Sequence, residues 1–445
     1  MCPETQDVLR NFSNRVATTC GIIALTLILS ACGSSTLPSA EADNPNTADT
    51  AYETRPTFTA ADLLSSESLS GKHHVIDSVV ENDGYENRYT IRSDYGVFIA
   101  HRTDFVDERL REVYAITELN RISRTDAFAS GVAEAAKSPF RALKSLATEP
   151  LGTVTGAIKG VGALFVQAGE MVTGSRGELE DSVARELIGY SEIKRDVAGK
   201  LEVDPYSTNL VLQERLGEVA WAGFAGGFSL LPLTAQIPGG VSTAVSGIQN
   251  SQTLNSLLTS QSPEAIRKIN RDKLEAMYIE KDTIDEFVNH PWYSPRHKSI
   301  ITAALEAMVG VKNREALIKQ AMFSQSEQQS VFIMRLAEAA LGYHQNVSQI
   351  QEMLRRNREL FIKSSNGVII CILPTDHLIW TLGASTIADQ YPVNPSSPHE
   401  LWLTGSVSDR AEKEFSALGW QIKSDTAELL EASLDESMVG ANEAD

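Results

Sequence analysis

Residues 262–308 read SPEAIRKINRDKLEAMYIEKDTIDEFVNHPWYSPRHKSIITAALEAM. The Ser-Pro pairs at Ser262 and Ser294 stand 32 residues apart, and each is typical of a helix start with a serine cap and proline in the first turn. Leu-Glu-Ala-Met ends the first of these helices and recurs 31 residues later. We therefore predict an array of helical hairpins over residues 261–360, which would stack neighbours around a shared core. Chance recurrence of common helix formers is the alternative.

Three further helix signals lie within this array. Asp282 and Asn313 have the character of N-caps of two shorter helices. Ser324 with Glu327 has the spacing of a capping box, in which the serine and the acid each accept a hydrogen bond from a backbone N–H at the helix start. The expected order is long helix, short helix, long helix, and helical structure is expected to continue to Arg358.

After the array the hydrophobic pattern indicates a small α/β module over residues 361–424. Gly367–Leu373, Glu400–Thr404 and Trp420–Ile422 are predicted strands. Asp409–Leu418 is a predicted helix that is capped by Ser408 or Asp409 and ends before Gly419. Residues 425–445 carry seven acids and no base, so we predict a solvated acidic tail.

Before the array, residues 61–125 predict a β-hairpin followed by a helix. Tyr89–Arg92 and Val97–Ala100 are the hairpin strands, joined by Ser93–Gly96, and the helix follows Asp104. Residues 126–260 form a Gly/Ala-rich region that we predict to be helical. Together these predictions describe a mainly α protein: a helical body, with a small N-terminal β-hairpin and a small C-terminal α/β module.

Two apolar stretches of the Gly/Ala-rich region have an unusual composition. Leu151–Val172 carries glycine at every fourth position from Gly152 to Gly160, and Val219–Gly240 lies in a run without charged residues. Close packing between helices explains both, and it is the interpretation that we favour. The alternative is contact with a membrane, where faces of small residues let helices approach.

The N-terminus has an apolar run, Gly21–Ala31, preceded by Arg10 and Arg15, and it is too short to span about 30 Å of hydrocarbon. The run ends in Leu29-Ser30-Ala31-Cys32. This ending resembles the lipobox of bacterial prolipoproteins, although the resemblance covers only the first 35 residues. It implies a signal peptide over residues 1–31, cleavage before Cys32, and lipidation of Cys32. A buried apolar N-terminal helix is the alternative.

The resemblance also implies a location. Gly33, where an aspartate would imply retention in the inner membrane, implies the cell outer membrane, and we expect the body to face the periplasm. Residues 32–60 are rich in Ser, Thr, Pro, Asn and Asp, so we predict a disordered tether. Once the signal peptide is removed and Cys32 is acylated, Cys371 is the last free thiol, so no internal disulfide is expected.

Net charge and motifs exclude several functions. A formal charge of −19 disfavours nucleic acid as a partner. The sequence contains no nucleotide-binding loop, no hydrolase elbow and no spacing of metal ligands, so neither a cofactor nor a metal is expected. Asp376 and His377 follow a predicted strand, the position where open α/β sheets place their sites, and they are the weak catalytic candidates. A polar helix start is the alternative interpretation of this pair.

These observations favour a non-catalytic lipoprotein that is held to the membrane by its lipid anchor and binds an envelope protein or another envelope component. Two other hypotheses stay open. One is a membrane-inserting or membrane-perturbing protein that uses the two apolar stretches. The other is a hydrolase with its site in the C-terminal module.

Overall fold

The computed structural model describes residues 51–135, 178–227, 251–390 and 398–434. The predicted signal peptide 1–31, Cys32, Leu151–Val172 and residues 228–240 lie outside the described residues, as does the end of the acidic tail from residue 435. The described residues group into one compact unit.

Helices and strands both occur in this unit, and they are numbered in chain order. The helices are α1 (Ala60–Leu63), α2 (Ser66–Leu69), α3 (Val106–Ser123), α4 (Asp126–Ala135), α5 (Glu178–Lys200), α6 (Leu210–Gly226), α7 (Gln252–Ser260), α8 (Pro263–Ala276), α9 (Lys281–Val288), α10 (Pro295–Ala307), α11 (Glu315–Ala321), α12 (Glu327–Asn346), α13 (Leu382–Gln390) and α14 (Asp409–Ala417). The strands are β1 (Thr57–Thr59), β2 (Ser70–Gly71), β3 (His74–Ile76), β4 (Val79–Asn82), β5 (Asn87–Ser93), β6 (Gly96–His101), β7 (Ile350–Arg356), β8 (Glu359–Ser364), β9 (Ile369–Leu373), β10 (His377–Leu378), β11 (His399–Leu403), β12 (Ser406–Val407) and β13 (Trp420–Lys423).

The predicted N-terminal hairpin is part of a larger antiparallel sheet. Strands β5 and β6 form the hairpin itself, and Gly96 at its turn has φ of +134°, a value that favours glycine. On its other side β5 pairs with β3 and β4, while β1 and β2 extend the sheet to six strands. The added strands contain two to four residues each, so they are too short to show an alternating pattern in the sequence.

Residues 51–60, the end of the predicted tether, belong to this fold. β1 pairs with β4, and the backbone of Glu53 donates a hydrogen bond to the carbonyl of Trp380 at 2.9 Å. The prediction of disorder is therefore wrong for these ten residues. Serine, threonine and proline are as compatible with an extended segment paired to a sheet as with a disordered one, and the pairing partner lies elsewhere in the chain.

Helix α3 packs on the N-terminal sheet and forms the centre of one hydrophobic core. Its buried positions recur every three or four residues and meet the inner face of β5 together with α6; they are Leu110, Val113, Ile116 and Leu119. The described part of the uncharged stretch from Val219 ends α6, where Val219, Ala220, Trp221 and Ala222 are buried. Among the described residues, no helix combines the length and hydropathy needed to cross a membrane.

The helical array follows, with long helices beside long helices and short beside short. Asn270 on α8 donates to Ser299 on α10 (3.1 Å), and Lys273 further along α8 donates to Glu306 further along α10 (2.6 Å). Because both contacts advance in the same direction, α8 and α10 are parallel. Their sequence separations of 29 and 33 residues agree with the spacing of the two Ser-Pro pairs.

The helix starts of the array match the sequence in part. Ser262 and Ser294 cap α8 and α10 as predicted. The cap of α12 is Ser326, which accepts from the backbone of Gln329, so the predicted capping box at Ser324 is wrong. Asp282 and Asn313 are not caps either, since α9 begins after Glu280 and α11 after Arg314 without a side-chain cap. Both short helices are held by tertiary burial, which a local cap signal does not report.

The array ends earlier than predicted. Residues 350–358, predicted to be helical, form β7 and its turn into β8, and this hairpin continues into β9. β9, β11 and β13 are parallel, which gives a five-stranded mixed sheet in the order β13-β11-β9-β8-β7. Met353 and Leu354 are good helix formers, but they pair with Ile362 and Phe361 across the hairpin, and this pairing outweighs the local preference.

The start of the predicted acidic tail also packs on the body. Leu430 and Ala432 are 3% and 1% exposed, and the side-chain amide of Asn346 at the end of α12 donates to the carbonyls of Leu429 and Glu431. The prediction of a solvated tail is wrong for residues 425–434. The acids of the segment led to the prediction that it is solvated, whereas Leu430 and Ala432, which alternate with polar residues, are buried against the body.

The fold class is corrected accordingly. Helices account for 52% and strands for 19% of the structure, and the described residues form three sheets: a six-stranded antiparallel sheet, a five-stranded mixed sheet and a two-stranded parallel pair of β10 with β12. The prediction of a mainly α protein with a small hairpin is wrong, because helices do not dominate the N-terminal region.

Candidate functional site

Asp376, one of the two predicted site residues, is used as a structural link. Its carboxylate accepts hydrogen bonds from the backbone N–H of Asn87 (2.9 Å) and of Thr103 (3.1 Å), so it joins the C-terminal module to the N-terminal sheet. Burial raises the pKa of Asp376, and the nearby Arg102 guanidinium opposes this shift. Both carboxylate oxygens of Asp376 accept from backbone donors, so its structural role alone accounts for these contacts.

His377, the second predicted site residue, lies beside a serine. Its Nδ1 is 2.8 Å from the Ser406 hydroxyl, because the two residues are aligned partners in the β10–β12 pair. Burial lowers the pKa of His377, and the Phe58 ring covers it edge-on with 5.2 Å between ring centroids. The hydrolase hypothesis stays a prediction, and Ser406 is the hydroxyl that lies within hydrogen-bond distance of its candidate His377. Covalent labelling of Ser406 by a fluorophosphonate would support the hypothesis, and absence of labelling would exclude Ser406 as the nucleophile.

A network of buried charges lies next to Asp376. The Arg102 guanidinium donates to Asp104 at 3.0 Å and to the carbonyl of Pro374, and Arg335 lies 2.9 Å from Asp104 on its other side. Arg335 also pairs with Glu338 at 2.9 Å. Burial alone would raise the pKa of Asp104, but the two arginines outweigh it and the pKa is lowered. Asp104 is therefore ionised and central to contacts between β6, α3 and α12.

An open cavity of about 740 Å³, which Asp104 helps to line, is the candidate functional site. Its walls come from α3, the C-terminal half of α5, the segment that follows α5, α7, and the start of α10. The lining acids are Asp104, Glu108, Glu112, Glu192, Asp196, Glu202 and Asp204, and the lining bases are Arg111, Lys200 and Arg296. Carboxylates thus outnumber cations on the lining by seven to three.

Three of these acids already have cationic partners within the protein. Asp104 is held by the arginines described above, Glu112 pairs with Arg109 at 2.7 Å, and Asp196 pairs with Lys200 at 2.7 Å. Glu112 also accepts from Asn209 at 2.9 Å, which fixes the segment after α5 to α3. These acids shape the wall of the cavity.

Two other acids face the cavity at an energetic cost. Burial raises the pKa of Glu108, and the charge of Arg296 only partly offsets this. Burial raises the pKa of Asp204 to about 6, again against the charge of Arg296. Burial disfavours the ionised form of these two carboxyl groups because it removes part of their hydration. A cation that enters the cavity stabilises the ionised form again, so such carboxyl groups contribute the most to cation binding.

The acids of the cavity come from several elements, an arrangement that suits an organic cation. Among the described ranges, no group of three or more His, Cys, Asp or Glu side chains is arranged to hold a metal. Ammonium and guanidinium groups bind carboxylates one at a time through charge-assisted hydrogen bonds, so they can use acids that are spread over a large cavity.

Substitution of Asp204 tests whether burial raises the pKa of its carboxyl group. Because its pKa is raised to about 6, the folded protein keeps a proton that the unfolded chain loses between about pH 4 and 6, so stability falls as the pH rises through this interval. Asp204→Asn keeps the acceptor for the Tyr206 N–H and removes the charge. We expect the variant to be more stable than the wild type by about 1–2 kcal/mol at pH 7.5 and equal to it near pH 4, measured by urea denaturation. A constant difference at both pH values would contradict this.

Sequence reasoning did not find the cavity. Its residues come from five segments that are distant in the chain, and the stretch between α5 and α6 has no motif. One signal was present: Asp104, Glu108 and Glu112 recur at four-residue spacing, which places Glu108 and Glu112 on one face of α3 and Asp104 just before its start. Comparison with protein-family models, with curated proteins and with solved structures finds no match for the chain.

Proposed function

We propose that the chain is a lipid-anchored cell-envelope protein of the outer membrane that binds a positively charged segment of another envelope protein without catalysis. The acidic cavity is the observation that carries the binding proposal. The resemblance of the Cys32 segment to a lipobox supports the anchor, and the periplasm is the compartment in which the body would meet its partner. The route to function is electrostatic: a cationic side chain of the partner enters the cavity and neutralises Glu108 and Asp204.

The cation class follows from the charges on the wall. Glu108 and Asp204 face the cavity from α3 and from the segment after α5, and both have raised pKa values caused first by burial. An entering lysine or arginine would lower both pKa values again, and this shift is the source of binding free energy. Glu192 and Glu202, which are exposed on the same lining, would attract the ligand over a longer range.

The experiment uses the full chain extracted from membranes in detergent and a tri-lysine peptide as the probe. We expect the wild type to bind the peptide at low salt and the double variant Glu108→Gln/Asp204→Asn to bind it at least about tenfold more weakly, a loss of roughly 1.4 kcal/mol. Raising the ionic strength should weaken binding to the wild type. Isothermal titration calorimetry measures both effects.

The matched control is Asp62→Asn/Glu67→Gln, which removes the same two charges at exposed positions outside the cavity lining. Equal binding by the cavity variant and the control would refute the cavity as the site. The anchor is tested separately: Cys32→Ala is expected to keep its signal segment and to leave the membrane in alkaline carbonate. A Cys32→Ala protein of mature size that stays on the membrane would refute the anchor.

A further inference from the structure

The turn between β7 and β8 presents a concentration of positive charge on an acidic protein. Residues 355–358 read Arg-Arg-Asn-Arg, and all four are exposed. Asn357 has φ of +52°, a left-handed conformation that asparagine adopts more readily than most residues, so the tight turn keeps the three arginines together. With a formal charge of −19 on the whole chain, this turn differs in sign from the average surface.

An exposed aromatic ring lies at the centre of this turn. Phe323, which follows α11, is 41% exposed, and the guanidinium carbons of Arg355 and Arg358 lie 5.4 and 5.5 Å from its ring centroid. Both distances are within the range of cation–π attraction. The Gln320 side-chain amide donates to the carbonyl of Arg358 and fixes the turn to α11. We call Phe323 with Arg355, Arg356 and Arg358 the Arg–Phe knob.

The guanidinium groups of Arg355 and Arg358 are available to an external anion. Within the part of the chain that the structure describes, Arg355 and Arg358 contact Phe323 and make no ion pair, and Arg355 donates to the carbonyl of Asn357 at 2.7 Å. The adjacent acid, Glu359, has its pKa raised to about 7 by burial, so near neutral pH it cancels only part of a charge. The knob thus has several guanidinium donors and an apolar ring on one exposed surface.

We propose that the Arg–Phe knob docks on the anionic phospholipid head groups of the membrane that holds the lipid anchor. This inference rests on the anchor of the proposed function. Guanidinium groups bind phosphate oxygens in pairs, and aromatic rings partition to the level of the head groups. A protein with net charge −19 is repelled from an anionic surface, so the body can approach it only through a positive surface.

The strength of the contact suits an anchored protein. Each arginine near an anionic membrane strengthens binding by about fivefold, so the knob alone would hold a free protein only weakly. The anchor raises the effective concentration of the body at the surface to the millimolar range, where a weak contact is populated. Docking would then set which face of the body points away from the membrane.

The test uses the full anchored chain reconstituted in vesicles and a reporter in the knob. Phe323→Trp keeps an exposed aromatic ring, and its fluorescence is obtained by difference from the protein with phenylalanine at 323. We expect brominated lipids to quench this fluorescence in vesicles that contain phosphatidylglycerol, and quenching to fall at least threefold in phosphatidylcholine vesicles or in about 1 M salt. Arg355→Glu/Arg358→Glu on the same background should abolish it.

The matched control is Lys72→Glu/Lys413→Glu, which changes the charge equally at two exposed positions elsewhere and should leave quenching unchanged. Equal quenching in both kinds of vesicle, or equal loss in the knob variant and the control, would overturn the docking proposal. Vesicle flotation separates the two proposals: flotation without quenching refutes the docking alone, whereas failure to float with any vesicle refutes the anchor and the docking with it.

Discussion

Replacement of Asp104 by alanine is expected to lower the free energy of unfolding by about 3–5 kcal/mol, the typical cost of breaking a buried ion pair by removing one partner. Arg102 and Arg335, whose side chains are each 6% exposed, would lose the carboxylate that lies between them. Two guanidinium charges would remain inside the protein with less compensation. Urea denaturation followed by tryptophan fluorescence measures the change.

The control for this prediction is Asp94→Ala. Asp94 pairs with His73 at 2.9 Å, but its side chain is 62% exposed, so its loss should change stability by less than about 0.5 kcal/mol. Asp104→Asn should fall between the two, because the amide keeps an acceptor for one arginine and loses the charge. If Asp104→Ala were no more harmful than Asp94→Ala, the network would not support the contact between β6, α3 and α12.

Replacement of Gly342 by alanine is expected to release the C-terminal segment from α12. In most helices this change stabilises by about 1 kcal/mol. Here an added Cβ would overlap the backbone carbonyl of Leu430, and a backbone atom cannot move aside as the end of a side chain can. We expect a loss of about 2–3 kcal/mol together with protease cleavage after residue 425, followed by mass spectrometry.

Gly189→Ala is the matched helical substitution. Its added Cβ would lie 3.0 Å from the Phe224 side chain, whose ring can shift, so we expect a change of less than about 1 kcal/mol and no new cleavage. If Gly342→Ala were more stable than the wild type and equally protected from protease, the docking of residues 425–434 on α12 would be refuted. Stability and protection are read together, because either one alone could change for another reason.

The elements that the sequence predicted correctly depend on neighbours in the chain. Ser262 and Ser294 cap their helices because a serine hydroxyl needs only the backbone N–H three residues later. Ser408 caps α14 for the same reason, and Gly419 ends it with φ of +89°. Strand β9 is recognisable in the sequence as a continuous run of apolar residues, because all five of its residues are buried in the folded protein.

For the predicted pair Asp376 and His377, the sequence indicated the position but not the contacts. Asp376 and His377 lie past the end of a strand as predicted, but the contacts that define their roles are made with Asn87 and Ser406, which are 289 and 29 residues away. The Arg–Phe knob could not be predicted from the sequence either. Arg358 contacts Phe323 only because β7 and β8 pair and the turn between them is fixed to α11.

The sequence alone determined the local features of this protein: which serines begin helices, where apolar strands and their ends lie, and the Cys32 segment that resembles a lipobox. The tertiary structure decided which short segments become strands, which acids are desolvated and which cations lie beside them. The physical reason is range. Caps and turns form between residues a few positions apart, whereas strand pairing, burial and ion pairing act between groups that are distant in the chain and meet only in the folded protein.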